Sequence, residues 1–282
     1  MTSPHHPARP AASAHAQRIA DAIADAWTQR FRTGTDLHIP LSIAAALALA
    51  TPKRTHATAL ARQLADLSPE HLPLALRHIW RAFLTVRPEL GVRVAPLISW
   101  LSPYPDDDQR DSAHTITHAA LRAGLLELTT DDDRRRGTDL LGAVLQTLRS
   151  HRSTTNRGEF FTPQDIAEAL TRITLSDITT QPAGTAMHDP AAGTGSLLCA
   201  AARVLREHGR DPAEFRWYAN DLDALTAACL AVNTHLWALG HHVTIGCGDT
   251  LTDTWLDRAR HDHQLGIHAL ALARLHALHQ TA

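Results

Sequence analysis

The chain has 282 residues, enough for one large domain or two modest ones. Hydrophobic residues make up 44% and aromatics only 5%, which points to a core of helices packed through small side chains. With 27 basic and 29 acidic residues the formal charge is -2, which excludes the overall basic signature of a nucleic-acid binder. No run of 18 apolar residues and no signal-peptide core is seen, so the expectation is a cytoplasmic protein with no membrane partner. Cys199, Cys229 and Cys247 lack metal-ligand spacing and read as small buried hydrophobes.

Residues 1–14, rich in Pro, Ala, Ser and His, read as a disordered tail. Ile19, Ile23, Ala26 and Trp27 recur at helical spacing within 17–31. Further helices are predicted over 41–50, 57–67 and 72–83, the last with Leu76, Ile79, Trp80 and Phe83 on its core face. The apolar stretch 92–101 fits helix or strand, and Pro103, Pro105 and the acids 106–108 end it in a loop. One more helix is expected over 113–128. The run Asp131-Asp132-Asp133-Arg134-Arg135-Arg136-Gly137 reads as a solvated connection, its arginine field partly cancelled by the adjoining acids. It divides a helical domain, 15–133, from a second domain, 137–282.

The second domain reads differently. A helix over 140–148 and a polar link lead to Gly158-Glu159-Phe160-Phe161-Thr162-Pro163. Thr162 suits an N-cap and Pro163 the first helical position, with a helix over 164–173. The paired phenylalanines fit either a hydrophobic staple or an aromatic wall for a planar ligand. A short strand then runs into Asp189-Pro190-Ala191-Ala192-Gly193-Thr194-Gly195-Ser196 and a helix with Leu197, Leu198, Ala201, Val204 and Leu205 on one face. Glycines at such a turn let a ligand approach backbone N–H groups at a helix N-terminus. Asp189 adds a carboxylate that can hold an ammonium, so the turn suits a zwitterionic nucleoside.

A strand over 215–219 ends in Asn220-Asp221-Leu222-Asp223, and Asp221 stands where nucleotide-binding sheets hold a ribose diol. A helix over 224–239 leads to a strand over 243–247 and Gly248-Asp249-Thr250-Leu251, where Asp249 can accept from an adenine amino group. Repeated strand–helix units of this kind predict a parallel sheet with right-handed crossovers.

The segments 158–163, 189–195, 220–223 and 248–251 together resemble the adenine-N6 DNA methyltransferases, and within them the modification (M) subunits of type I restriction-modification systems. Asp139-Leu140-Leu141-Gly142 is similar to the segment that precedes the aromatic motif in those subunits. The resemblance covers about 139–251. It implies a Rossmann-like S-adenosylmethionine-dependent methyltransferase domain with a short parallel sheet, α/β in class, preceded by an all-helical N-terminal domain. It implies S-adenosyl-L-methionine as cofactor. Glu159, Phe160, Phe161, Thr162 and Pro163 would wrap its methionine end, Asp189, Gly193, Thr194, Gly195 and Ser196 would line the turn, Asp221 would bind the ribose and Asp249 the adenine.

The family's Asn-Pro-Pro-Phe/Tyr motif, which grips a flipped-out adenine, does not occur in the sequence. Ser102-Pro103-Tyr104-Pro105 is a faint likeness better explained as a proline-rich turn. Beyond Asp249, His261 and His263 are expected in a loop and a helix over 265–279; the histidines there read as solvated, not as metal ligands. Three readings follow: an adenine-N6 DNA methyltransferase acting on DNA, an inactive S-adenosylmethionine-binding protein, or half of a split enzyme whose partner subunit supplies the base-binding motif.

Overall fold

The structure, a computed structural model, describes residues 11–30, 36–50, 54–102, 104–151, 162, 164–252 and 254–280. Its helices in chain order begin with α1 (Ala12–Arg30), α2 (His38–Leu49), α3 (Ala57–Ala65), α4 (Leu72–Val86) and α5 (Gly91–Ile98). They continue with α6 (Asp107–Arg122), α7 (Leu125–Thr129), α8 (Asp132–Arg136), α9 (Leu140–Ser150) and α10 (Gln164–Thr174). Strands β1 (Ala186–Asp189), β2 (Arg216–Asp221) and β3 (Val243–Cys247) then alternate with α11 (Ser196–Glu207) and α12 (Ala224–Leu236), and α13 (Trp255–Gln280) follows.

The three strands form a parallel sheet in the order β1-β2-β3. Its register sets Asp189 beside Ala219 and Asp221 beside Cys247. This is the expected helix-rich α/β architecture with a short parallel sheet. Trp217, Ala219, Val243 and Ile245 point to one buried face, as a period of two requires. Helices α2 and α12 are apolar on nearly all sides because both are enclosed: α2 lies among α4, α5, α6, α7, α9 and α12, and α12 lies against α5, β2 and β3. One core runs from Ile19 and Ile23 of α1 through Leu41 and Leu47 to Leu230 and Trp237, so the helical half and the sheet share a hydrophobic interior.

Several boundaries differ from the sequence expectation. Helix α1 starts at Ala12, inside the stretch read as tail, and its Ala16, Ile19 and Ile23 dock on α6 and α9. The helix expected over 113–128 is two helices, because Gly124 adopts φ +86° and turns the chain. The ambiguous stretch 92–101 is helical, and Asp106, expected in a loop, is the N-cap of α6 through a reciprocal capping box with Gln109. The charged run at 131–137 folds as α8, capped by Asp131, with Arg135 and Arg136 both paired to Asp132.

His261 and His263, expected in a loop, lie inside α13. That helix passes Gly266 closely over the Pro88 carbonyl, a contact a side chain would forbid. An ion pair, Arg93–Asp262 at 2.5 Å, joins α13 to α5. Cys199 and Cys229 are buried and all three cysteines are free. Among the described residues no helix is long and apolar enough to cross a membrane.

Candidate functional site

The carboxyl ends of the three strands place Asp189, Asp221 and Asp249 along one rim. The turn after β1 folds back on β2: Gly193 N–H donates to Asp221 Oδ2 at 2.9 Å, and Ala192 N–H to the Asn220 carbonyl at 2.9 Å. Asp221 Oδ1 accepts from Asp223 N–H at 3.0 Å. A carboxylate oxygen has more than one lone pair, so Asp221 retains capacity for two hydroxyls of a diol. Asp189 Oδ1 takes the Ala191 N–H at 3.2 Å, whereas its Oδ2 is buried without a partner. Burial raises the Asp189 pKa; the Ala191 N–H and His188 pull it back, and the charge of Asp221 adds to the rise.

The two turn glycines serve different ends. Gly193, at φ +57°, has open space where a Cβ would stand, so the backbone there can meet a ligand. Gly195, at φ +101°, is enclosed: a Cβ would fall 2.6 Å from Leu230 Cδ1 and 2.8 Å from Trp237 Cζ3. Thr194 is likewise turned inward, buried, donating its hydroxyl to Asp139 Oδ2 at 2.6 Å. Thr194 and Gly195 therefore shape the turn from inside, and only their backbone can face a ligand. Asp249 is exposed and accepts the Leu251 N–H at 2.9 Å. Glu159, Phe160, Phe161 and Pro163 lie outside the described residues. Thr162 is half-buried and, with Ser196 and Asp139, lines a cavity of about 360 Å3 on the α9 side of the turn.

Residues that the sequence reading left without a role hold this site together. Asp139, the N-cap of α9, accepts from Gly142 N–H (2.8 Å), Thr194 Oγ1 (2.6 Å) and Asn233 Nδ2 (2.7 Å). Asn233 also donates to the Thr194 carbonyl at 2.9 Å, so α9, the turn and α12 meet at one buried carboxylate. Burial raises its pKa, opposed by the hydrogen bonds from Thr194, Gly142 and Asn233. Asn220, fully buried, ties the rim from below: its Nδ2 donates to the Gly248 carbonyl and to Thr250 Oγ1, both at 2.7 Å. Thr250 in turn donates to the Pro190 carbonyl at 2.5 Å. An Asp at a helix N-cap is the only signal of the first role that the sequence carries.

Comparison with known families gives a match. Residues 136–266 match the model of the N-6 DNA Methylase family. The match covers just under half of the chain. The matched segment runs from the last residue of α8 to the first part of α13, including the turn and all three rim acids. S-adenosylmethionine is the family's cofactor. No curated protein gives a match.

Among solved structures, the chain is similar to the methyltransferase subunit of a type I restriction-modification system from Streptococcus thermophilus. Identity is 18%, 85% of this chain and 60% of that one are covered, and the TM-score is 0.45. It is also similar to a protein described as a class I S-adenosylmethionine-dependent methyltransferase from Listeria monocytogenes. There the identity is 14%, with 80% and 55% covered and a TM-score of 0.39. The chain therefore spans less than two thirds of either.

Proposed function

We propose that this chain binds S-adenosylmethionine at the turn 189–196 and serves adenine-N6 methylation of DNA. The observation that carries the reading is the pair of carboxylates beside an open glycine: Asp221 bonded to Gly193 N–H, and Asp189 with a buried oxygen that no protein group satisfies. These residues fit the cofactor. A buried unpaired acceptor is costly, and an α-ammonium beside Asp189 Oδ2 would remove that cost. Asp221 would hold the ribose hydroxyls and Asp249 would accept from the adenine amino group. The open space at Gly193 leaves room for the nucleoside against the backbone, and Thr162 stands near the methionine end. When bound, S-adenosylmethionine supplies an activated methyl group on sulfur. The protein's part is to orient that group toward an exocyclic amine and to keep the carboxylates in place.

One observation favours a split arrangement, in which a second polypeptide supplies the grip on the target base. Among the described residues strand β1 is bonded to β2 on one side only, and its Ala186 and His188 are exposed, so the described sheet ends at the strand that carries Asp189. Pairing there would continue the sheet past the methyl-donor site.

Calorimetric titration of S-adenosylmethionine tests the proposal. The native chain should bind, and Asp221→Ala should weaken binding at least about 100-fold, the loss of two charge-assisted hydrogen bonds at roughly 1.5 kcal/mol each. Binding retained in Asp221→Ala overturns the site. Affinity should also fall as pH drops below the raised pKa of Asp189, because the protonated carboxyl no longer attracts an ammonium. That dependence should vanish in Asp189→Asn.

A further inference from the structure

The opposite pole of the sheet holds a second cavity, of about 570 Å3, at the amino ends of β2 and β3. Its wall combines the loop before β2 (Asp211, Pro212, Ala213), the loop before β3 (Ala238, Gly240, His241) and four arginines: Arg87, Arg136, Arg206 and Arg210. Strand β2 has six residues, so at about 3.3 Å per residue the pole lies roughly 20 Å from Asp221 and its neighbours. This cavity is therefore no part of the turn at 189–196. Its volume falls within the usual range of roughly 300–1,000 Å3 for small-ligand sites.

The charge on its wall is one-sided. Asp211 is the only acid among the described lining residues. The carboxylates that pair with the arginines do not line the cavity: Glu89 with Arg87 at 2.5 Å, Asp132 with Arg136 at 3.3 Å, and Glu214 with Arg210 at 3.1 Å. Asp132 is also shared with Arg135. Among the described residues Arg206 has no acid partner and reaches only the carbonyl of Trp237, at the end of α12. Burial, and then the nearby charge of Arg136, push the Arg206 pKa down, opposed by Cys199, Asp211 and Asp133.

Two guanidinium donors in the wall, Arg87 Nη2 and Arg136 Nε, are buried without an acceptor. The C-terminal ends of α11 and α12 point here, and their carbonyls absorb part of the positive charge. His235 cannot add to it: burial first, then Arg87 and Arg135, push its pKa down to about 4, so the ring is neutral. Arg210 is engaged by Glu214 and by the Ile178 and Gln181 carbonyls, so what faces a ligand is a concave wall led by Arg87, Arg136 and Arg206.

We propose that this cavity binds a phosphate-bearing ligand. Guanidinium groups match phosphate oxygens in pairs, and an anion here would offset charge that the surrounding carboxylates leave uncompensated. The class that fits is a small polyphosphate such as the tail of a nucleotide, with the phosphate backbone of nucleic acid as the other source of the same chemistry.

The test is calorimetric titration of the full chain with pyrophosphate. The native chain should bind. Arg136→Gln should weaken that binding about tenfold, the worth of one lost charge-assisted contact. Asp211→Asn should tighten it about threefold, because the opposing carboxylate is gone while the amide oxygen still caps Ala213. A gain of affinity cannot come from misfolding, and S-adenosylmethionine binding serves as the remote control in both variants. Competition then separates the sources: displacement of pyrophosphate by a short DNA duplex assigns the site to nucleic-acid backbone, and displacement by ATP but not by duplex assigns it to a free nucleotide. No pyrophosphate binding, or affinities in both variants equal to native, overturns the proposal.

Discussion

The two flanks of the small sheet are built to different standards. On the β3 side, α5, α12 and α13 close over the strand, and Val243 and Ile245 are only 1% and 5% exposed. On the β1 side the strand is an edge among the described residues, His188 is met by a stacked Trp255 ring at 5.3 Å, and α10 packs on α11 while leaving Ile166, Leu170 and Ile173 in the open. Ile173 is 75% exposed. Both flanks belong to one parallel sheet, so the strand residues do not decide the difference. What decides it is the helices that reach each face: α12 and α13 of the C-terminal half, with α5 of the N-terminal half, all close on β3. An α/β sheet of this kind borrows its burial from elsewhere in the chain.

The largest test of that contrast lies on the packed flank. Trp237 is fully buried, donates Nε1–H to the Thr138 carbonyl at 2.9 Å and walls in Gly195. Trp237→Ala should remove about 3–5 kcal/mol in urea unfolding; a loss under about 1 kcal/mol would erase the distinction between flanks.

Next in size comes the carboxylate where the two halves meet. Asp139→Asn keeps the shape but presents an N–H pair to donors that need acceptors, and should cost about 1–3 kcal/mol. The sign with pH is fixed. Burial raises the native pKa above the unfolded one, so the folded chain holds the proton more tightly. Native stability from this group therefore declines as pH rises through the window between the two values and is level above it. Unfolding curves across that window should show the slope in the native protein and its loss in Asp139→Asn.

The smallest effect belongs to the open flank. Ile173→Lys should change monomer stability by no more than about 0.5 kcal/mol, and a larger loss in urea unfolding would mean that the flank is covered in solution.

How far the sequence foretold this molecule depended on how local each cause was. Strand β3 was readable to the residue at both ends, since Val243 and Ile245 alternate with polar neighbours between glycine-bearing turns. The positions of the rim acids were readable because Asp189 and Asp221 end their strands and Asp249 stands two residues past β3. Misreadings arose where a distant partner fixed the geometry. The polar run at 261–264 read as a loop ahead of a helix over 265–279 in what is one helix, and the close pass of Gly266 over Pro88 belongs to that continuous packing. Gly124 fell inside the helix expected over 113–128, yet its lack of a Cβ lets His15 approach and meet the Ala123 carbonyl at 3.0 Å. The role of Asp139 was hidden for the same reason: Thr194 and Asn233 lie 55 and 94 residues away in sequence.

The clamp at Asn220 has a thermodynamic consequence. One buried amide holds the loop after β3, and through Thr250 that loop holds the loop after β1. Two connections that would otherwise fluctuate separately are thus coupled into a single unit before any ligand arrives. A guest at this rim finds its contacts already arranged, so less of its binding free energy is consumed in quieting the host. The same coupling implies that the loops loosen together, and that amide exchange at Gly248 and at Ala192 should share one opening event.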